Sequence, residues 1–426
     1  MSLHSLTRGD AGRRAAVPPA ADWSVEWHRD EQALVGLGDE LRDLYDRSPA
    51  ATPFQAYEWL RSWWGWYGTS GRLRLAVVRR RGRAVAAAPL MAGVRHGFPV
   101  LLPLAGEQSD FTDLLVDPVY ADGAVRHLTR ALLDEHGWCA LDLREVRPGS
   151  AAHLLAERWP RRAWRLPSSI CLELPAAGID EVLDRLPRRT AGKMRAKLRK
   201  IDVRGITVGS VTPEEAPDAV NALLDLHLRQ WRGRPVNPEH TRERFRRHLA
   251  EAASGMVREG RAAVLQYRWD DRLVASDLVL IGHRYVGAYL YGSVPDLRSH
   301  VDVSLMLLRE DLAIARDRNR QGVELVFVNG EYARTPEGQL FYSMRGAISE
   351  FEKAKINERM TRGRREKARQ GKVIRDYQVY GYDYDKEREC FVVNEEEAKV
   401  VRLVFDLFTK PNDKVDGING IAKYLT

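Results

Sequence analysis

Four side chains of this sequence stand where they can take up or release a proton: His227 in LHLRQW, Asp277 in ASDLVLI, and His300 with Asp302 in RSHVDV. An imidazole or carboxylate within hydrogen-bond reach of a hydroxyl or amine serves as a general base. His227 falls on an amphipathic helical stretch, where the plainer use of a histidine is packing or capping. Asp277 is flanked by strand residues. Turned inward, its carboxylate needs a partner or a function; turned outward, it is only solvated. Asp302 stands just before a helix, where its simplest role is to cap free N–H groups. Arg298, Ser299 and the amides near Ser304 lie at the same helix start and make a corner that suits an anion.

A second charged feature is the run Arg188-Arg189-Thr190-Ala191-Gly192-Lys193-Met194-Arg195-Ala196-Lys197-Leu198-Arg199-Lys200. Wound as a helix, it is positive on most faces and suits an anionic acceptor, a carrier or phosphates. A solvated helix is the alternative. Trp59, Trp63, Trp64 and Trp66 recur at helical spacing with Phe54 and Tyr67, which reads as core before it reads as a binding surface. The three cysteines, Cys139, Cys171 and Cys390, are scattered and odd in number. They fit a reducing cytoplasm and no metal spacing.

The elements that must position these groups alternate. LRLAVVRRRGRAVAAAPLMAGV predicts two strands about the turn Arg81-Gly82-Arg83. AVRHLTRALLDEHGW predicts an amphipathic helix, and CALDLREV the strand after it. Asp180 to Leu198 and Ala216 to Trp231 read as helices. RAAVLQYRWDDRLVASDLVLIGHRYVGAYLYGSV predicts three strands with turns at Asp270-Asp271 and Gly282-His283, and Ser304–Arg316 a helix. Helices with a mostly antiparallel sheet, met twice, make this an α/β (α+β) chain with a duplicated unit.

The whole chain has 426 residues and a net charge of +8. That size accommodates several domains, and the charge favours an anionic partner. No stretch approaches the roughly 18 apolar residues of a membrane span. The N-terminus, MSLHSLTRGDAGRRAAVPPAADW, lacks the apolar segment of a secretory signal, and residues 1–21 read as a disordered tail. Near residue 320 the composition changes. Before it lysine occurs only at Lys193, Lys197 and Lys200; after it lysine is regular, while tryptophan ends at Trp269 and proline is reduced to Pro336 and Pro411. Such a break is what two coding histories joined end to end would leave.

FQAYEWLRSWWGWYG, RTAGKMRAKLRKI, LHLRQW and DRLVASDLVLIGHRYVGAYLYGSVPDLRSHVDVSLMLLREDLAIA resemble the double-GNAT acyltransferases, often described as cellulose-biosynthesis acetyltransferase-like, which are distant relatives of the Fem aminoacyl transferases. The resemblance covers about residues 22–318. It implies GNAT-like domains at 22–165 and 166–320. It also implies transfer of an acyl group from acyl-CoA or another acyl carrier, used as co-substrate, to an amine or hydroxyl of a small molecule or glycan. Asp277, His227, His300 and Asp302 would then be the candidate bases, and Arg298, Ser299 and Ser304 the donor-binding corner. The usual GNAT phosphate loop, Gln/Arg-x-x-Gly-x-Gly/Ala, is absent; PDLRSHVDV stands in its place.

GVELVFVNGEY then reads as a buried strand, and TPEGQLFYSMRGAISEFEKAKINERMTRGRREKARQGK as one long helix, apolar at one end and basic at the other. From Gln321 to Thr426 the sequence closely resembles the large serine recombinases of phage-integrase type. The resemblance implies a catalytic-domain remnant strand and loop at 321–338, the long E helix at 339–372, and a truncated DNA-binding domain at 373–426. Glu352, Glu358 and Arg359 fall on the E-helix motif, while Lys353 stands where the family has Arg. DNA contact is expected within residues 353–426, through Arg359, Arg362, Arg364, Arg365, Arg369 and Lys372, and self-association through 339–372. The family's nucleophile sits in a Tyr-x-Arg-x-Ser-like strand. Ser24, in WSVEW, has no such surroundings, so strand transfer is expected to be absent. Two functions follow as expectations: an acyltransferase carrying a recombinase fragment, or a DNA-binding protein without strand transfer. A splice at a helix–strand step would let GVELVFV occupy a place in the sheet of the first part.

Overall fold

The computed structural model describes residues 22–166, 170–234, 236–319, 324–329, 379–385, 390–410, 415 and 417–425. The expected tail 1–21, the expected loop 330–338, the expected E helix 339–372 and the six cations expected to contact DNA lie outside them. The described residues form two units, one before residue 346 and one after it.

In the first unit, strand β1 (Trp23–His28) leads into helices α1 (Glu31–Gly36), α2 (Gly38–Asp46) and α3 (Tyr57–Tyr67). Strands β2 (Leu73–Arg80), β3 (Arg83–Arg95), β4 (Phe98–Pro103) and β5 (Leu115–Val116) follow, then α4 (Ala121–Asp134), β6 (Ala140–Leu141) and α5 (Ala151–Glu157). The hairpin at Arg81-Gly82 forms where the sequence places it, with both residues at positive φ. The strand expected from CALDLREV is only Ala140–Leu141. Beyond it Glu145 adopts positive φ and its carbonyl accepts from Thr112 N–H, so the chain turns away from the sheet.

The pattern then repeats. β7 (Ile170–Pro175), α6 (Ile179–Asp184), α7 (Arg188–Val203), β8 (Thr207–Ser210), α8 (Ala216–Gln230) and α9 (Glu243–Arg258) precede strands β9 (Ala262–Trp269), β10 (Arg272–Ile281) and β11 (Tyr285–Ser293). Helices α10 (Leu297–His300) and α11 (Val303–Asn319) and strand β12 (Glu324–Asn329) close the unit. The helix expected over Asp180–Leu198 is two helices. Pro187 separates them, because the residue before proline is driven from helical geometry and proline has no N–H to give.

The first sheet runs β1-β2-β3-β4-β6 with β5 on β3, and the second runs β7-β12-β11-β10-β9-β8. Each has four antiparallel neighbours followed by one parallel pairing, β4 with β6 and β11 with β12. This is a duplicated, mostly antiparallel unit. β12, from the recombinase-like part of the sequence, lies inside the second sheet between β11 and β7.

One core joins both halves: Trp59, Trp63 and Trp64 of α3 pack with Leu223 of α8, Phe245 of α9 and Leu278 of β10. Trp66 alone of that tryptophan group is exposed, and its ring N–H donates to Glu251. Ionic contacts reinforce the seam. Arg261, at the foot of β9, is buried and donates to Glu58 of α3 and Asp46 of α2 over the Tyr45 ring. α8 lies so close to β11 that a Cβ at Gly292 would sit 2.4 Å from the His227 backbone N. Only glycine admits that approach.

In the second unit, strands β13 (Tyr382–Asp385) and β14 (Cys390–Val393) form an antiparallel pair. Helix α12 (Glu395–Thr409) is capped by the Asn394 side chain, which accepts from Glu397 N–H, and α13 (Gly417–Leu425) follows. Among the described residues no helix is long and apolar enough to cross a membrane.

Candidate active site

β11 and β12 run parallel but pair only from Tyr285 to Gly287, opposite Glu324 to Val326. Beyond that point β12 continues along β7 while β11 follows β10. A wedge therefore opens between two neighbouring strands, and β11 carries a register shift opposite Leu278/Val279, at Tyr289. Among the described residues no strand pairs with that side of β11 beyond Gly287, which is the condition for an N–H to face a substrate oxygen.

A recess of about 230 Å³, counting its open mouth, sits where the strands part. Leu280 of β10 and Tyr285, Gly287, Ala288 and Tyr289 of β11 line one side, and Phe54, Asp110 and Phe111 of the first half line the other. The loop carrying Asp110 is held down by hydrogen bonds. Trp63 and Trp59 donate their ring N–H groups to Gln108 and Ser109, and Tyr289 donates its hydroxyl to the Gln108 carbonyl. Asp113 accepts from Ala151 and Ala152 N–H at the start of α5. Asp110 loses its solvation in this recess and lies near Glu145, and its carboxyl is pushed up to about 7. A carboxyl poised there accepts a proton near neutral pH. Arg147 lies 4.6 Å over the Tyr285 ring and 5.3 Å over Phe111, two residues of the lining, and pairs with Glu173. Asp110 is the residue that sequence reading missed. Its only local signal is the polar stretch QSDFTD; its environment is made by β11, more than a hundred residues away.

None of the candidate bases or donor-binding residues singled out from sequence lines this recess. Asp277 is on β10, but on the face opposite Leu278 and Leu280, since successive strand residues alternate. It is buried against Asp311 of α11, and desolvation pushes both carboxyls up; the Asp277 charge raises Asp311 further, while the hydrogen bond from Asp311 partly offsets the rise at Asp277. Among the described residues no cation pairs with either. Two such carboxyls hold a proton between them. Because the unfolded chain would ionise both at lower pH, the folded state binds more protons, and stability falls as pH rises from the ordinary carboxylate range. Asp277→Asn removes one of the two titrations. The loss of stability between pH 5 and pH 8, read by urea unfolding, should shrink to less than about half that of the parent, because Asp311 also loses the neighbour that raises it.

His227 on α8 donates from Nδ1 to the Tyr291 carbonyl at 2.8 Å, and its Nε2 faces Nδ1 of His240 at 3.2 Å. Both ring nitrogens are engaged. Burial lowers its pKa, and burial together with His227 lowers His240 to about 4. Arg298 donates to the Tyr291 hydroxyl, which also accepts from Gln230. The structure thus gathers His227 and Arg298 about one tyrosine. His300 packs edge-on against Trp269, and the Ser299 hydroxyl donates to the Asp296 carbonyl. Asp302 caps α11 by accepting from Leu305 N–H at 3.0 Å and pairs with Lys197 of α7 at 2.7 Å. Ser304 lies in that first turn, so a carboxylate already occupies the end of the helix where a phosphate would bind. Arg195 of α7 pairs with Asp184, whereas Arg188, Arg189 and Lys193 are exposed. Among the described residues no three His, Cys, Asp or Glu side chains gather as a metal site.

Two family models match the chain. An acetyltransferase (GNAT) domain matches residues 188–334, and a resolvase N-terminal domain matches residues 307–373. The matches overlap across α11 and β12. A Bacillus subtilis (strain 168) protein described as "Putative DNA recombinase" is 49% identical over 120 residues, 28% of this chain and 24% of its own length. The chain therefore spans about a quarter of that relative. The crystal structure of FemX matches with a TM-score of 0.51 at 12% identity, over 75% of this chain and 93% of that one. A tandem GNAT protein from the clavulanic acid biosynthesis pathway matches with a TM-score of 0.34 at 16% identity, over 76% of this chain and 94% of its own. The likeness to FemX establishes the fold of the first unit, and the chain combines a GNAT-like body with a resolvase-like segment.

Proposed function

We propose that the first unit is an acyltransferase, moving an acyl group from a thioester to an amine or hydroxyl of a small molecule or glycan in the cytoplasm. The observation that carries this reading is the recess at the parting of β11 and β12, with Asp110 in its wall. The acceptor's heteroatom attacks the acyl carbonyl while its proton passes to the Asp110 carboxylate, directly or through one water. The carbonyl oxygen gathers negative charge as the new bond forms, where a β11 N–H at the parting of the strands stabilises it; collapse of this adduct breaks the C–S bond and releases the thiolate, which takes up a proton and leaves as the thiol. The donor is acyl-CoA or an acyl group on another carrier. Its phosphates, where it has them, bind away from the α11 N-terminus, because Asp302 would repel them there.

A second reading is favoured by the 49% identity to a recombinase: the chain is a DNA-binding protein through residues 353–426. We propose that strand transfer is absent in either case, since Ser24, in WSVEW, does not stand in a Tyr-x-Arg-x-Ser-like strand. Thiol release by the full chain from acetyl-CoA and longer acyl-CoA donors, with amines and amino sugars as acceptors, tests the first reading. Release that depends on acceptor supports it. No release with any pair, alongside duplex binding that weakens as salt rises, favours the second.

A further inference from the structure

The segment between α5 and β7 holds an unusual surface. Residues 158–166 read Arg-Trp-Pro-Arg-Arg-Ala-Trp-Arg-Leu, without an acidic residue. Trp159 anchors the base of the segment by packing with Trp138 against the first-half core. Past Pro160 every residue to Leu166 is exposed. Trp164 is 68% exposed and Leu166 82%, two large apolar side chains with no core to enter. Arg162 stands 4.8 Å over the Trp164 ring. Arg158 and Arg165 pair with Asp122 and Glu157. Among the described residues no carboxylate pairs with Arg161 or Arg162.

From this juxtaposition we propose that residues 160–166 dock the protein on an anionic lipid surface. Tryptophan settles at the boundary between headgroups and hydrocarbon, with its ring in the apolar layer and its N–H toward water. A neighbouring leucine enters the acyl region at no polar cost. Arginines just outside meet the lipid phosphates, each worth about fivefold in affinity near an anionic leaflet. Weak apolar insertion and weak electrostatic attraction together give reversible binding that neither gives alone. The chemistry favours lipid over a nucleic acid strand. One face of Trp164 already carries a guanidinium, and Leu166 offers no flat surface on which a base would stack.

The full chain is to be sedimented with vesicles of phosphatidylcholine alone and of phosphatidylcholine with one quarter phosphatidylglycerol. Binding at least tenfold tighter to the anionic vesicles is expected, weakening as salt rises. The double variant Trp164→Ala/Leu166→Ser should bind these vesicles at least tenfold less well, with its Tm unchanged because the segment lies outside the core. Arg161→Gln/Arg162→Gln should lose about twentyfold and retain little preference for anionic lipid. Variants that bind as well as the parent would place the contact elsewhere on this basic protein and overturn the proposal. So would a parent that leaves vesicles in solution, or one whose Trp164 is needed for a single-stranded oligonucleotide and not for vesicles.

Discussion

Asp110→Asn lowers acyl transfer at pH 8 by roughly 10²–10⁴-fold, the usual worth of a positioned general base, while the protein stays folded. Asn keeps the shape of the side chain and cannot accept the acceptor's proton. The pH profile is the more specific test. Burial first, and Glu145 second, raise the Asp110 carboxyl to about 7. The base works only when ionised, so the parent rate should climb about tenfold per unit below pH 7 and level above it. In the variant that climb should vanish. A variant as active as the parent, or one with the same profile, would remove Asp110 from the chemistry.

Arg261→Met costs roughly 3 kcal/mol of stability, measured by urea unfolding, the lower end of the range for breaking a buried ion pair. The methionine keeps most of the apolar stem. What is lost is the guanidinium that spans Glu58 at 3.2 Å and Asp46 at 2.8 Å from above the Tyr45 ring. Glu58 is itself buried, but Arg42 still pairs with it at 2.6 Å, which moderates the cost. Arg42→Met, at a more exposed end of the same network, should cost less than half as much. Equal losses would show that the seam between the halves does not depend on the buried cation.

Local chemistry wrote much of this fold into the sequence. Arg81-Gly82 and Asp270-Asp271 each take the positive φ that closes a tight hairpin, and both turns are legible from residue type. The stripe of apolar residues in Ala216–Gln230 is enough to place α8. Reading failed where a single residue outweighs a pattern, as Pro187 does in splitting one apparent helix, and Glu145 in ending a strand after Leu141. The candidate site was less legible. The strand pattern leaves Asp277 open to facing inward or outward; it faces inward, yet its partner is Asp311 on the far side of the sheet from the recess. His227 signalled chemistry and is held by Tyr291 and His240. Asp110 owes its raised pKa to a strand distant in sequence, and no periodicity or spacing near it carries that information.

β12 has a further consequence for how the two parts of this chain could ever be separated. It is flanked by β11 on one side and β7 on the other, so a stretch that matches the resolvase domain is an inner strand of the GNAT-like sheet, not an appendage beside it. The two inheritances share a strand. Any cut, natural or otherwise, meant to free the GNAT-like body would have to fall after Asn329 and leave that strand behind with it.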